Sequence, residues 1–157
     1  MNTSTEIWEY AKQLQVPLRA VVTKDNLKKE PLQNGGYVVN IQNDYHSDGT
    51  DLSGSHWTAF YIENGKAVYF NSFGIAPPAE VQLYLWRYKP LVYNTMQIQN
   101  IRSGWCGIYV LAFLKFMSSR KNIPIKRRFD KFLHLFDDDV EKNLKILRTI
   151  MGKHFFK

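Results

Sequence analysis

The dipeptide Asn64-Gly65 constrains this chain more than any other feature. It separates "HWTAFYIE" from "KAVYFNSFG", two apolar runs of strand length, and Asn-Gly between such runs marks a two-residue hairpin turn. Strands are expected over 57–63 and 66–72. In an antiparallel hairpin the start of the first strand lies beside the end of the second, so His56 comes next to Asn71 although 15 positions separate them. An asparagine oxygen placed there accepts the N–H of one imidazole nitrogen, orients the ring and leaves the other nitrogen to a thiol. The competing reading is a strand-edge histidine beside an ordinary turn asparagine.

A thiol is supplied by "QIQNIRSGWCGIYVLAFLKF" at 97–116, which holds the single cysteine, Cys106. Apolar density, length and absence of proline predict a buried helix from Cys106 to about Ser118, after the loop "RSG". A cysteine in the first turn, with Gly107 after it and Gly104 two residues before, lies near unpaired backbone N–H groups and the positive end of the helix dipole. That setting favours thiolate over thiol. Burial as a small hydrophobe is the alternative. Gln99 lies seven residues before Cys106, across a loop short enough to return its amide toward the sulfur. With the Cys106 backbone N–H it would hold an oxyanion. Gln97, on the same strand face, competes for that role, and a polar edge strand accounts for both without any function.

The remaining elements frame these two segments. Thr3 with Glu6 suits a capping box, and Ile7, Ala11 and Leu14 share a face, so a helix is expected over 3–16, stopped by Pro17. "LRAVV" reads as extended and is followed by a polar turn around Asp25 and Asn26. Gly35 and Gly36 lead into the strand "YVVNIQN", and 44–55 is a polar loop. "AEVQLYLWR" suits a short helix after Pro77-Pro78, 95–99 a further strand, and 126–136 and 139–151 two amphipathic helices. This order predicts one α+β domain over 1–157, a central mixed sheet packed against a buried helix that starts at the cysteine, with a basic helical part at about 120–157.

At 157 residues the chain is long enough to bury a core without disulfide or metal. One cysteine excludes an internal disulfide and the clustered-thiolate zinc sites. His46, Asp48, Asp51 and His56 lack ligand spacing, so no metal is expected. "WCGIYVLAFLKFM" is interrupted by Lys115 and too short to span a bilayer, and the N-terminus lacks the basic-then-apolar order of a signal peptide. An intracellular protein with no membrane partner is expected. Of the formal +7 charge, nearly all comes from residues 120–157, with 11 Lys and Arg against 5 Asp and Glu. Arg120, Lys121, Lys126, Arg127 and Arg128 form the densest group. They are candidates for a nonspecific nucleic-acid contact, and the alternative is a solvated face.

Taken together, "GSHWTAF" at 54–60, "VYFNSFG" at 68–74 and "QNIRSGWCGIYV" at 99–110 resemble the Ulp1-like clan of cysteine proteases, and within it the adenovirus maturation proteases (adenains). The resemblance implies the compact adenain/Ulp1-like fold and a Cys106–His56–Asn71 triad with Gln99 at the oxyanion hole. It also implies a substrate groove at Trp57, Trp105 and Gly104, and cleavage after Gly-Gly or Gly-x pairs. Asn71 stands where the family commonly has a carboxylate, and Trp105 stands where deconjugating relatives have Asp. A disulfide-tethered peptide activator is excluded, because the only cysteine is the nucleophile. The implied role is a monomeric maturation protease of a DNA virus, virophage or polinton-like element, acting on capsid or core precursors. It would work in the infected cell, be packaged in the virion, need no cofactor for its chemistry, and be open to activation by DNA or a non-covalent peptide. Deconjugation of ubiquitin-like modifiers is the second reading. A catalytically dead binding module and an acyltransferase on the same scaffold are weaker ones.

Overall fold

A computed structural model describes residues 3–42 and 56–152. Its centre is the expected hairpin, strands β3 (Trp57–Glu63) and β4 (Lys66–Phe70), joined at Asn64 and Gly65 with φ of 50° and 80°. Both turn residues are thus left-handed, as a turn matched to strand twist requires. On the other side β3 pairs antiparallel with β2 (Gly35–Asn40), and β1 (Ala20–Thr23) pairs parallel with β2. A two-residue strand β5 (Val92–Tyr93) pairs parallel with β4 and completes a mixed sheet in sequence order.

The sheet is covered on both faces, so its inner strands are apolar on both. Trp57, Ala59 and Tyr61 join the core built on helix α3 (Cys106–Ser119), together with α1 (Ser4–Gln13), α4 (Ile125–Leu133) and α5 (Asn143–Met151). Phe60 and Ile62 point the other way, onto Leu27, Val81 and Leu85 under the short helix α2 (Ala79–Tyr84). Helix α3 is buried nearly all round, which accounts for its uniformly apolar sequence.

Several boundaries differ from the sequence reading. Helix α1 opens as expected, with Thr3 Oγ1 accepting the Glu6 N–H at 3.1 Å, but ends at Gln13 because Gln15 turns left-handed at φ 57°. No strand forms at 95–99. There the N–H groups of Ile98 and Gln99 both donate to the Ser72 carbonyl, at 2.8 and 3.0 Å, which anchors the segment without a ladder. The final helix begins at Asn143 after a single 3-10 turn over Val140–Lys142, and α4 stops at Leu133. No described helix is long and apolar enough to cross a membrane.

The largest correction concerns Arg128, which was grouped with surface cations and is instead fully buried. Its guanidinium forks onto Glu63, Nη1 to Oε1 at 3.0 Å and Nη2 to Oε2 at 2.9 Å, and its remaining N–H groups donate to the Met117 and Ile123 carbonyls. All five donors are satisfied, the condition under which a buried guanidinium is tolerated. Lys126, Arg127, Arg120 and Lys121 are exposed, and Arg120 lies 4.1 Å over the Phe116 ring. Phe129 and Phe132 face the core and hold α4 onto it. Removing one partner of the buried pair strands the other's charge, so Arg128→Ala is expected to cost about 3–5 kcal/mol in urea unfolding. Arg127→Gln should change stability by less than about 0.5 kcal/mol. Equal effects of the two substitutions would contradict this packing.

Candidate active site

Chain reversal at the hairpin places the site. Carrying the β3–β4 register three residues past its last pair, Ala59 with Phe70, sets His56 opposite Phe73, and the two rings stack at 3.9 Å with an interplanar angle of 5°. His56 Nε2 lies 2.7 Å from Asn71 Oδ1. The same oxygen accepts the Phe73 N–H at 2.9 Å, and a backbone N–H can only donate. This fixes which end of the Asn71 amide faces the ring, so Nε2 carries the proton and Nδ1 keeps the lone pair. Asn94 in turn clamps the Asn71 backbone, accepting its N–H at 3.0 Å and donating Nδ2 to its carbonyl at 2.7 Å. Neither Phe73 nor Asn94 was singled out from sequence. Phe73 stands inside the Phe-Gly block, whereas Asn94 carries no local signal.

Cys106 opens α3 as expected, with Trp105 as its N-cap residue. Backbone hydrogen bonds of Trp57 and Gly107 reach the thiol, so the sulfur lies against the residue that follows His56. The expected net preference for thiolate is corrected: burial pushes the Cys106 thiol up, and the backbone hydrogen bonds offset this only in part. Burial likewise pushes His56 down, with the Asn71 hydrogen bond opposing it. Both shifts favour the uncharged forms, a thiol and a neutral imidazole. A neutral asparagine suits that state, since a carboxylate in its place would bury an unpaired charge.

Gln99 is fully buried and held at both ends of its amide. Oε1 accepts from the Ser72 hydroxyl at 2.5 Å, which turns Nε2 toward the loop before Cys106, where it donates to the Ser103 carbonyl at 2.9 Å. One Nε2 hydrogen remains. Gln97 is exposed and its amide is engaged on the Gln99 carbonyl at 3.0 Å, so it supports Gln99 rather than replacing it. Gly74 makes this approach feasible. At φ +73° it is left-handed, and a Cβ there would fall 2.7 Å from the Thr95 carbonyl oxygen.

Of the candidate groove residues, Trp105 is 36 % exposed, and Ile101, four positions before it and without a signal in the sequence reading, is exposed as well. Trp57 is only 3 % exposed. Its ring packs on α3 and borders a cavity of about 360 Å³ with Thr23, Asn26 and Asn40, so it is not an open groove wall. A Cβ on Gly104 would meet no atom within 4 Å, which leaves that backbone accessible. His46, Asp48 and Asp51 lie outside the described residues. Among the described residues no group of three or more potential ligands could hold a metal ion.

No family model matches the sequence, and no curated protein does. Among solved structures the chain is similar to ASFV pS273R protease, at 15% identity over 92% of this chain and 62% of that one, with a TM-score of 0.48. The selenomethionine form of the same protein gives 20% over 79% and 46%, at 0.44. It is also similar to AvrA with IP6 and CoA (18%, 92% and 58%, 0.41) and to the SUMO protease Ulp1 with its cysteine oxidised to a sulfenic acid (19%, 74% and 52%, 0.33). The chain spans less than two thirds of the length of each. None of these likenesses assigns a role to a residue here.

The upward shift of the Cys106 thiol has a measurable consequence. Alkylation of Cys106 by iodoacetamide should rise steadily with pH through neutrality, because thiolate forms only above the ordinary thiol range. Asn71→Asp would place a negative charge beside His56, raise its pKa and increase the rate near pH 7. A rate already flat from pH 5 upward in the wild type would mean that a preformed thiolate–imidazolium pair exists.

Proposed function

We propose that this chain is a cysteine endopeptidase with Cys106 as nucleophile, His56 as general base and acid, Asn71 as its orienter, and Gln99 with the Cys106 backbone N–H as the oxyanion hole. The observation that carries this reading is the 2.7 Å contact between His56 Nε2 and Asn71 Oδ1, made beside the first turn of the helix that begins with the sole cysteine. It leaves Nδ1 as the proton acceptor. As the sulfur attacks a peptide carbonyl, Nδ1 takes the thiol proton, and negative charge builds on the carbonyl oxygen where Gln99 Nε2 and the Cys106 N–H can receive it. Collapse of the intermediate breaks the C–N bond, and the imidazolium gives its proton to the departing amine. A water deprotonated by His56 then attacks the thioester, the C–S bond breaks to release the acid product, and the imidazolium returns its proton to the sulfur.

The substrates in this proposal are capsid or core precursors cut after Gly-Gly or Gly-x, with Trp105 and Ile101 as the apolar rim that receives the chain. Phosphate-backbone contacts by the exposed Arg120, Lys121, Lys126 and Arg127 belong to the same proposal, without Arg128. Cys106→Ala should abolish cleavage of a Gly-Gly peptide while leaving unfolding unchanged. Gln99→Ala should lower kcat by about 10²–10³, and Asn71→Ala should cost less than His56→Ala. Turnover by Cys106→Ala would overturn the mechanism. Preference for ubiquitin or SUMO conjugates over Gly-Gly capsid peptides would replace precursor processing by modifier deconjugation.

A further inference from the structure

At the opposite end of α3 from Cys106 lies a cavity of about 620 Å³. It is bounded by the 15–19 connection, by the β2 and β3 ends around Gly35 and Glu63, and by the last turn of α3 with Lys121 beyond it. Three cations line it: Arg19, Lys115 and Lys121. None has an ion-pair partner among the described residues. The one carboxylate in the lining, Glu63, has both oxygens engaged by the fork of the buried Arg128, so its charge is already matched. Lys121 also lies within electrostatic reach of Glu63, so the lining sets three cations against one carboxylate that Arg128 already pairs, and the concave surface keeps a net positive charge.

Two of the cations are held in place rather than waving in solvent. Arg19 donates Nε to the Asn34 carbonyl at 2.8 Å, and its stem lies across Gly35, where a Cβ would come within 2.9 Å of Cγ and Nε. Its two Nη groups make no other hydrogen bond among the described residues and stay available as a fork. Lys115 is half-buried and spends one N–H on the Leu14 carbonyl at 2.8 Å, leaving two donors. Capping a carbonyl explains why each residue is ordered. It does not explain why both turn into one cavity together with a third cation. Fixed guanidinium and ammonium donors around a space of this size match clustered phosphate oxygens.

We propose that this cavity is a binding site for a compact polyphosphate, separate from the peptidase site and independent of whether the protein cleaves peptides. A continuous nucleic-acid backbone is better served by the open face carrying Lys126 and Arg127.

The test uses the whole chain and sodium tripolyphosphate, titrated by calorimetry at fixed ionic strength. Wild type should bind, and Arg19→Gln with Lys121→Gln should weaken binding about tenfold or more, as expected when charge-assisted hydrogen bonds are lost. Both side chains are exposed, so the fold should be retained. The charge-matched control, Lys28→Gln with Lys29→Gln, two exposed residues outside the lining, should keep its affinity within about twofold. Equal losses in the two double variants would reduce the effect to net charge and overturn the site, as would no binding by the wild type. A parallel titration with a short single-stranded oligonucleotide separates the sources: tighter binding than tripolyphosphate, lost on Arg19→Gln, would assign the cavity to nucleic acid and contradict the proposal.

Discussion

Helix α3 is apolar around nearly its whole circumference, and one face of the sheet with α1, α4 and α5 is arranged to cover it. Eleven of its fourteen residues are buried, so apart from Lys115 and the last turn it needs neighbours on every side. The sheet supplies one wall through Trp57, Ala59 and Tyr61, and α1, α4 and α5 supply the others. Cys106 sits in the first turn of this immobilised rod. Its position relative to the hairpin is therefore set by core packing, and that packing leaves little freedom for a sulfur to wander.

The same packing explains the electrostatics. A site assembled at the edge of a dense core is poorly solvated, and burial drives both the thiol and the imidazole toward their neutral forms. Orientation then does what charge does in sites with a carboxylate. Asn71 is locked by the Phe73 N–H and by Asn94, His56 is stacked on Phe73, and Gln99 is pinned between Ser72 and Ser103. Each group that would contact substrate is held by at least one residue that would not, the arrangement a preorganised site requires.

How much of this could be read in advance follows from range. Asn64-Gly65 and the unbroken apolar run after Cys106 act through local geometry and periodicity, so the hairpin, the buried helix and the His56–Asn71 meeting were legible. Arg128 was misread because its partner, Glu63, is 65 residues away, and a sequence shows a charge without its counter-charge. Segment 95–99 has strand composition, yet its Ile98 and Gln99 N–H groups share one carbonyl, Ser72, in the close approach that Gly74 permits. Trp57 and the Cys106 titration were misjudged for one reason: the depth of burial is a property of the assembled core. A helix terminus favours the thiolate, but the desolvation that opposes it arises only when the core closes over Cys106.

Asn71 fixes the protonation pattern of His56, with hydrogen on Nε2 and a lone pair on Nδ1. Long-range ¹H–¹⁵N correlation spectra of histidine-labelled protein report both ring nitrogens directly. At neutral pH the account predicts a protonated, pyrrole-type Nε2 and an unprotonated, pyridine-type Nδ1 for His56, with the pattern averaging or reversing in Asn71→Ala. A wild-type His56 that is doubly protonated at pH 7, or that carries its hydrogen on Nδ1, would contradict it.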